Sequence, residues 1–180
     1  MNFTEFKLNA QILSGVKELG YETATPIQEK AIPSILAGLD VVGTAQTGTG
    51  KTAAFALPLL QRLMDGPRGQ LRGLILAPTR ELAEQIRQSI DRLAIRTGLR
   101  CTAIYGGANL VKQYQILRRG VDIVIACPGR LLDHINRGNI NLTQVEVLVL
   151  DEADHMFDLG FREPIYKIIR HLPKKRQNLL

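Results

Sequence analysis

The octapeptide Ala45-Gln46-Thr47-Gly48-Thr49-Gly50-Lys51-Thr52 restricts the fold of this chain more than any other segment. It stands between the short apolar run Asp40–Thr44 and an apolar stretch with helical spacing, Lys51–Met64. A strand that turns through Gly48 and Gly50 into a helix gathers backbone N–H groups and the positive helix end at one point. That arrangement holds phosphate groups. In such loops the lysine reaches the β- and γ-phosphates of a nucleoside triphosphate, and the hydroxyl after it ligates Mg²⁺. Lys51 and Thr52 are the candidates for those roles. The usual pattern opens with Gly, and here Ala45 stands in that place. The competing reading, a Gly/Thr-rich turn without a ligand, accounts less well for a strand before, a helix after and Gly-Lys-Thr at the junction.

A second feature belongs with the first. The apolar run Val147–Leu150 ends in Asp151-Glu152-Ala153-Asp154. Two adjacent carboxylates at a buried strand end repel one another unless a cation lies beside them. Asp151 is the candidate magnesium partner, through water, and Glu152 is then free to orient or deprotonate an attacking water. Lys51, Asp151 and Glu152 are therefore the candidate catalytic residues, with Thr52 and Asp151 at the metal. An acidic turn capping the next helix is the plainer alternative.

Between and around these motifs, short β-rich runs alternate with amphipathic helical patterns. Strands are expected at Asp40–Thr44, Gly73–Ala77, Cys101–Tyr105, Asp122–Ala126 and Val147–Leu150, and Gln177–Leu180 reads as the start of another. Helices are expected at Asn9–Leu19, Pro26–Ala37, Lys51–Met64, Arg80–Thr97, Ala108–Arg119 and Pro128–Asn136. Strands alternating with helices imply βαβ units: an α/β fold with a mostly parallel, twisted sheet covered by helices on both faces. Ligands in such folds sit at the carboxyl ends of the strands. A length of 180 residues suits one domain, residues 1–180.

Three more strand ends share a pattern. They run into Pro78-Thr79-Arg80, into Gly106-Gly107 and into Cys127-Pro128-Gly129-Arg130. Arg80 and Arg130 each fall in the first turn of a helix, where a cation opposes the helix dipole. An external anion between helix end and guanidinium would account for that placement, and Gly106-Gly107 would let backbone approach the same anion. Several such sites along one sheet edge suit the phosphates of a nucleic-acid strand. The plainer alternative pairs Arg80 with Glu81 and Arg130 with Asp133. A net charge of +6 mildly favours a polyanionic partner. With nine aromatics (Tyr 4, Phe 5) and no Trp, none clustered with basic residues, contacts should go to sugar and phosphate rather than to stacked bases. Cys127 sits at a helix start beside Arg130, where a thiol is expected to have a lowered pKa.

Other signals bound the setting. Two cysteines make no disulfide framework and have no metal-ligand spacing, which fits a reducing, cytoplasmic environment. No apolar run approaches the length that spans a bilayer. His134, His155 and His171 lack metal-site spacing and read as surface or helix residues. Thr25-Pro26-Ile27-Gln28 is a capping box on its own terms, although the Gln28 amide could also read an adenine edge.

Taken in order, these segments resemble the first RecA-like domain of a DEAD-box RNA helicase. The set is Phe3, Gly20-Tyr21 through Gln28, Ala45–Thr52, Pro78–Leu82, Gly106-Gly107, Pro128-Gly129-Arg130 and Asp151–Asp154, and it spans essentially the whole chain. The resemblance implies ATP and Mg²⁺ as cofactors. It gives Gln28 the reading of adenine and gives Phe3, seventeen residues before Gly20 (20 − 3), the place of an aromatic that stacks on the base, with Tyr21 in the same segment. It implies sequence-independent RNA binding through Pro78, Thr79, Arg80, Gly106, Gly107, Pro128, Gly129 and Arg130. It accounts for Ala45 at the head of the loop. It also implies a second RecA-like domain beyond Leu180 that supplies an arginine finger and half of the RNA site. Residues 1–180 alone would then have very weak activity at most. One departure is Cys127, where the family has Thr, a better helix cap than a thiol. Other readings are a binding module without turnover, or a DNA helicase or translocase domain of the same superfamily.

Overall fold

The computed structural model describes residues 1–46 and 48–180. Its centre is a five-stranded, all-parallel sheet in the order β2-β3-β1-β4-β5. The strands are β1 (Gly73–Leu76), β2 (Cys101–Ile104), β3 (Ile123–Ala126), β4 (Val147–Leu150) and β5 (Gln177–Leu179). The helices are α1 (Ala10–Glu18), α2 (Pro26–Leu36), α3 (Lys51–Met64), α4 (Arg80–Leu93), α5 (Leu110–Arg118), α6 (Pro128–Asn136), α7 (Ala153–Asp158) and α8 (Arg162–Ile169). A 3-10 turn at Phe3–Phe6 precedes them.

The apolar runs of β1, β3 and β4 are continuous because both faces of the sheet are covered. Their residues still alternate between two cores. Ile75, Ile123, Ile125, Val147 and Val149 join α1, α2, α3 and α4 on one face. Leu74, Leu76, Val124, Ala126, Leu148 and Leu150 join Leu131 of α6, Met156 of α7 and Ile165 and Ile168 of α8 on the other.

Four expected strands and the incipient one at Gln177 are present to within a residue. Asp40–Thr44 differs. It forms a single parallel bridge, Val41 to Leu179, rather than a strand. Among the described residues its backbone bonds run to β5 and the residue after it: Val41 N–H to Asn178 O at 3.1 Å, Leu180 N–H to Val41 O at 2.9 Å and Gly43 N–H to Leu180 O at 2.7 Å. Pairing on one side only leaves Val42 76% exposed. Two helices are shorter than their patterns. Helix α4 stops at Leu93 because Thr97 Oγ1 bonds back to Ala94 O at 2.8 Å, closing a turn in place of the next helical rung. Helix α5 starts at Leu110 because Asn109 Oδ1 caps Lys112 N–H at 3.1 Å. Helices α7 and α8 lie in a region for which the sequence reading assigned no element.

At the amino edge of the sheet, Arg72 is buried and held by Glu146 Oε1 at 2.6 Å and Leu63 O at 3.2 Å. Glu146 also accepts from Arg62 Nε at 3.2 Å. Burial raises the Glu146 pKa, but the two guanidiniums outweigh it and hold the carboxyl below the usual range. Elsewhere α1 meets α4 closely enough that a Cβ on Gly15 would lie 2.4 Å from Leu93 O.

Two outcomes follow from this packing. Gly15→Ala should destabilise the protein by ~1–3 kcal/mol, the cost of forcing atoms into a packed contact, read as a lower denaturation midpoint at unchanged slope. A change below ~0.5 kcal/mol, the scale of a neutral surface substitution, would mean that α1 can slide. Glu146, with a depressed folded pKa, contributes stability that is full above the unfolded value near ~4.3 and is lost as pH falls through the folded value. Glu146→Gln should therefore be less stable at neutral pH and show a flatter acid limb in a pH series of thermal melts. A parallel shift at every pH would refute that assignment.

Candidate nucleotide and nucleic-acid site

Parallel pairing in register brings the strand ends level. Leu76 of β1 pairs with Ala126 of β3 and with Leu150 of β4, and Ala126 pairs with Ile104 of β2. Backbone bonds continue past the strands, from Ala77 N–H to Ala126 O, Cys127 N–H to Ile104 O and Asp151 N–H to Leu76 O, each at 3.0 Å. The segments after β2, β3, β1 and β4 therefore leave one edge side by side.

Gly50 caps α3 with φ +91° and is fixed from behind by Gln28. Gln28 is buried; its Nε2 donates to Gly50 O at 3.0 Å and its Oε1 accepts from Thr25 N–H at 3.0 Å. The capping box is thus real, and its glutamine also ties α2 to the phosphate loop. A Cβ at Gly50 would lie 2.4 Å from Gln28 Nε2, so backbone sign and packing both demand glycine. Within the loop, Thr49 Oγ1 donates to Gln46 O at 2.7 Å. Thr47 lies outside the described residues.

The loop borders a cavity of about 370 Å³. Its lining includes Ala45, Lys51, Asp151, Glu152 and Asp154, together with the apolar Ile27, Ala31, Val41, Phe55 and Leu179. Burial raises the Asp151 pKa. Lys51 lowers it and the Glu152 charge raises it again, and the net shift is upward. A dication relieves such a carboxylate, and Mg²⁺ is held by one or two carboxylates plus phosphate oxygens and water. Among the described residues no group of three or more His, Cys, Asp or Glu side chains could hold a metal by itself. Asp151 on the cavity wall with Lys51 is compatible with a nucleotide-borne Mg²⁺, for which Thr52, the first-turn hydroxyl of α3, is the other candidate ligand.

Glu152 adopts φ 53°, ψ 51°, a left-handed conformation that costs a non-glycine residue on the order of 1–3 kcal/mol. That turn carries the chain from β4 into α7 while keeping both carboxylates at the sheet edge. Glu152 Oε2 meets His155 Nδ1 at 3.3 Å. His155, expected as a surface or helix residue, is exposed on α7 and also partners the candidate base; its spacing three residues on is the clue in the sequence.

The aromatic pair is layered. Phe3 is 2% exposed and lies edge-on to Phe6 and stacked on Tyr21, with ring centroids 6.2 Å apart. Tyr21 is 42% exposed. The ring with an open face is Tyr21, and Phe3 lies behind it. This differs from the expected direct stacking by Phe3.

The two first-turn arginines also differ from each other. Arg80 is exposed, its guanidinium 5.7 Å from the Tyr105 ring centroid and 3.9 Å from Glu81. Arg130 has a side chain only 12% exposed. Its Nη1 donates to Ala108 O and to Gln113 Oε1, both at 2.9 Å, while Asp133 lies 3.7 Å from Nε. Neither local carboxylate is within ordinary hydrogen-bond reach, so the plainer pairing is loose in both cases. Pro78 and Pro128 are buried at their turns, and Thr79 Oγ1 caps α4 through Leu82 N–H at 3.2 Å. Gly106, Gly107 and Gly129 are exposed, and no atom lies within 4 Å of a Cβ built on any of them. Cys127 makes no side-chain cap, and burial with the nearby Glu81 pushes its thiol up to about 11. The expected lowering at a helix start is overturned by desolvation. Cys101 is raised further by burial and by the Asp91 carboxylate that its thiol faces.

The family model described as "DEAD/DEAH box helicase" matches residues 25–180. The "ATP-dependent RNA helicase CshA" of Listeria monocytogenes is 47% identical over 99% of this chain, which covers 34% of that protein. The "DEAD-box ATP-dependent RNA helicase CshA" of Streptococcus pneumoniae is 45% identical over 100% of this chain and 34% of its own length. The "ATP-dependent rRNA helicase rrp3" of Emericella nidulans is 47% identical over 99% of this chain and 38% of its own. The chain thus spans about a third of the length of these curated relatives. With most of its length matched by one family model, the chain belongs to the DEAD/DEAH box helicase family.

Proposed function

We propose that residues 1–180 are the first RecA-like domain of an ATP-dependent RNA helicase, binding ATP with Mg²⁺ and one face of an RNA strand. The observation that carries this reading is the shared edge. Lys51, Asp151 and Glu152 line one cavity, and the segments after β1, β3 and β2 continue from it along the same row of strand ends. In this reading Lys51 and the backbone of Ala45–Thr52 hold the β- and γ-phosphates, and Thr52 and Asp151 hold Mg²⁺. The metal supplies neutralisation of charge on the transferred phosphoryl group. Glu152 accepts a proton from, or orients, the attacking water, with His155 setting the rotamer of its carboxylate. Tyr21 offers its open face to the base, backed by Phe3, and Gln28 contacts the adenine edge while pinning Gly50.

For RNA, Arg80 contributes a mobile charge. The backbone at Thr79, Gly106-Gly107 and Pro128-Gly129 approaches phosphates closely, and Arg130 supports that backbone from inside. These contacts read no sequence. An arginine finger from a second RecA-like domain would complete the γ-phosphate site, and such a finger is typically worth ~10³–10⁵ in rate. Turnover and duplex opening are therefore assigned to a two-domain protein, and binding to this chain.

Four variants test the proposal. Lys51→Ala should weaken ADP and ATP binding in calorimetry by the loss of charge-assisted contacts, ~1.5–3 kcal/mol. Glu152→Gln should bind nucleotide normally and, in a version extended by a second domain, abolish hydrolysis; normal turnover there removes Glu152 from the chemistry. Gln28→Ala should reduce the preference for ADP over GDP, and equal adenine and guanine affinity in the parent chain would defeat the adenine assignment. Arg80→Ala should weaken single-stranded RNA equally for all sequences and reduce the slope of log K against log salt by about 0.7, the share of one phosphate on a single strand. An unchanged slope would take Arg80 off the backbone path.

A further inference from the structure

Helix α5 is held unlike its neighbours. Its one buried residue is Gln113, a polar group, with Leu117 half-buried against the core. Gln113 Nε2 donates to Tyr105 O at 3.1 Å. Its Oε1 accepts from Arg130 Nη1 at 2.9 Å and lies 3.2 Å from His134 Nε2. The partners fix the amide: a carbonyl at Tyr105 requires the NH₂ group, and a guanidinium requires the oxygen. His134, fully buried, must then present Nε2–H to Gln113, which leaves Nδ1 as acceptor for Asn139 Nδ2 at 3.4 Å. Neutral imidazole satisfies every role, and burial together with Arg130 lowers the His134 pKa, although Asp133 opposes this.

Arg130 Nη1 closes the circuit by donating to Ala108 O. The carbonyls on either side of Gly106-Gly107 are thereby pinned, Tyr105 O by Gln113 and Ala108 O by Arg130. The two glycines have nothing packed where their side chains would be, and Gly107 has φ +80°. Glycine pairs of this kind lose the most conformational freedom on ordering. Without the two pins that loss would fall on RNA binding.

Resting on the RNA reading above, we infer that Gln113 is a positioning residue for RNA. With Arg130 it brackets the Gly106-Gly107 backbone and fixes it relative to the Pro128–Arg130 turn, so that a phosphate meets a preorganised site. Gln113 itself touches no RNA.

The test uses fluorescence anisotropy with a labelled oligouridine at several salt concentrations, beside ADP calorimetry and thermal melts. Gln113→Met keeps length and removes the hydrogen bonds. It should weaken oligouridine about tenfold, equivalent to ~1.4 kcal/mol, with the salt slope unchanged because no phosphate contact is lost, and with ADP affinity within twofold. Gln113→Glu keeps the acceptor for Arg130 and His134 but loses the donor to Tyr105 O. It should fall between parent and Gln113→Met in RNA affinity, and it should raise the His134 pKa seen in imidazole NMR, because a carboxylate replaces the amide oxygen. Parent-like RNA affinity in a folded Gln113→Met protein overturns the inference and leaves the RNA reading standing. A reduced salt slope also overturns it, since Gln113 would then act on a phosphate contact. If Gln113→Met does not fold, parent-like affinity in Gln113→Glu overturns it. If the parent chain itself fails to bind oligouridine, the RNA reading falls and this inference with it.

Discussion

The in-register parallel ladder centred on β1 is the constraint on which the rest depends. β1 pairs with β3 on one side and β4 on the other at the same level. A slip of one residue would exchange the two cores, since Leu74 and Leu76 face one and Ile75 the other. It would also move Asp151 away from Lys51. Core burial and site geometry are thus satisfied by the same register, and neither can be changed alone.

The electrostatics of the site follow from that placement. Asp151 sits at the end of a strand covered on both faces, so desolvation works against its charge and Lys51 compensates only in part. Glu152, one residue on, leaves the strand in a left-handed turn and meets His155. Adjacent carboxylates are thereby given different neighbours, Lys51 for Asp151 and His155 for Glu152. The arginines repeat the lesson. Arg80 and Arg130 both fall in first turns, at the first residue of α4 and the third of α6, and one faces solvent while the other is threaded into a hydrogen-bond circuit.

Much of this was legible in the sequence because its signals are local. Alternating runs and caps located all five strands of the sheet and most helix starts, and Gly48, Gly50, Lys51 and Asp151-Glu152 stood out by residue type and spacing. What stayed hidden depends on contacts between distant segments. Nothing near Gln113 or His134 reveals that they meet each other, because α5 and α6 are brought together only by the sheet. Nothing near Phe3 shows that Tyr21 covers it. The Asp40–Thr44 run has strand composition, but pairing on one side only left it a single bridge. For Cys127 the local rule for helix starts was sound and burial outweighed it.

That lone bridge has a consequence for how the molecule comes into being. The segment leading into the phosphate loop is fastened by partners 138 residues away: Asp40 accepts from Asn178 N–H and Nδ2, and Leu39 O accepts from Gln177 Nε2. Contacts so far apart along the chain form late, since the loop they close must first be ordered. On the ribosome, where the amino end emerges first, Asp40–Gly43 must wait for β5. The stretch that enters the phosphate loop is thus anchored by β5, the fifth strand in chain order, and a nascent chain cannot anchor it that way before β5 has emerged.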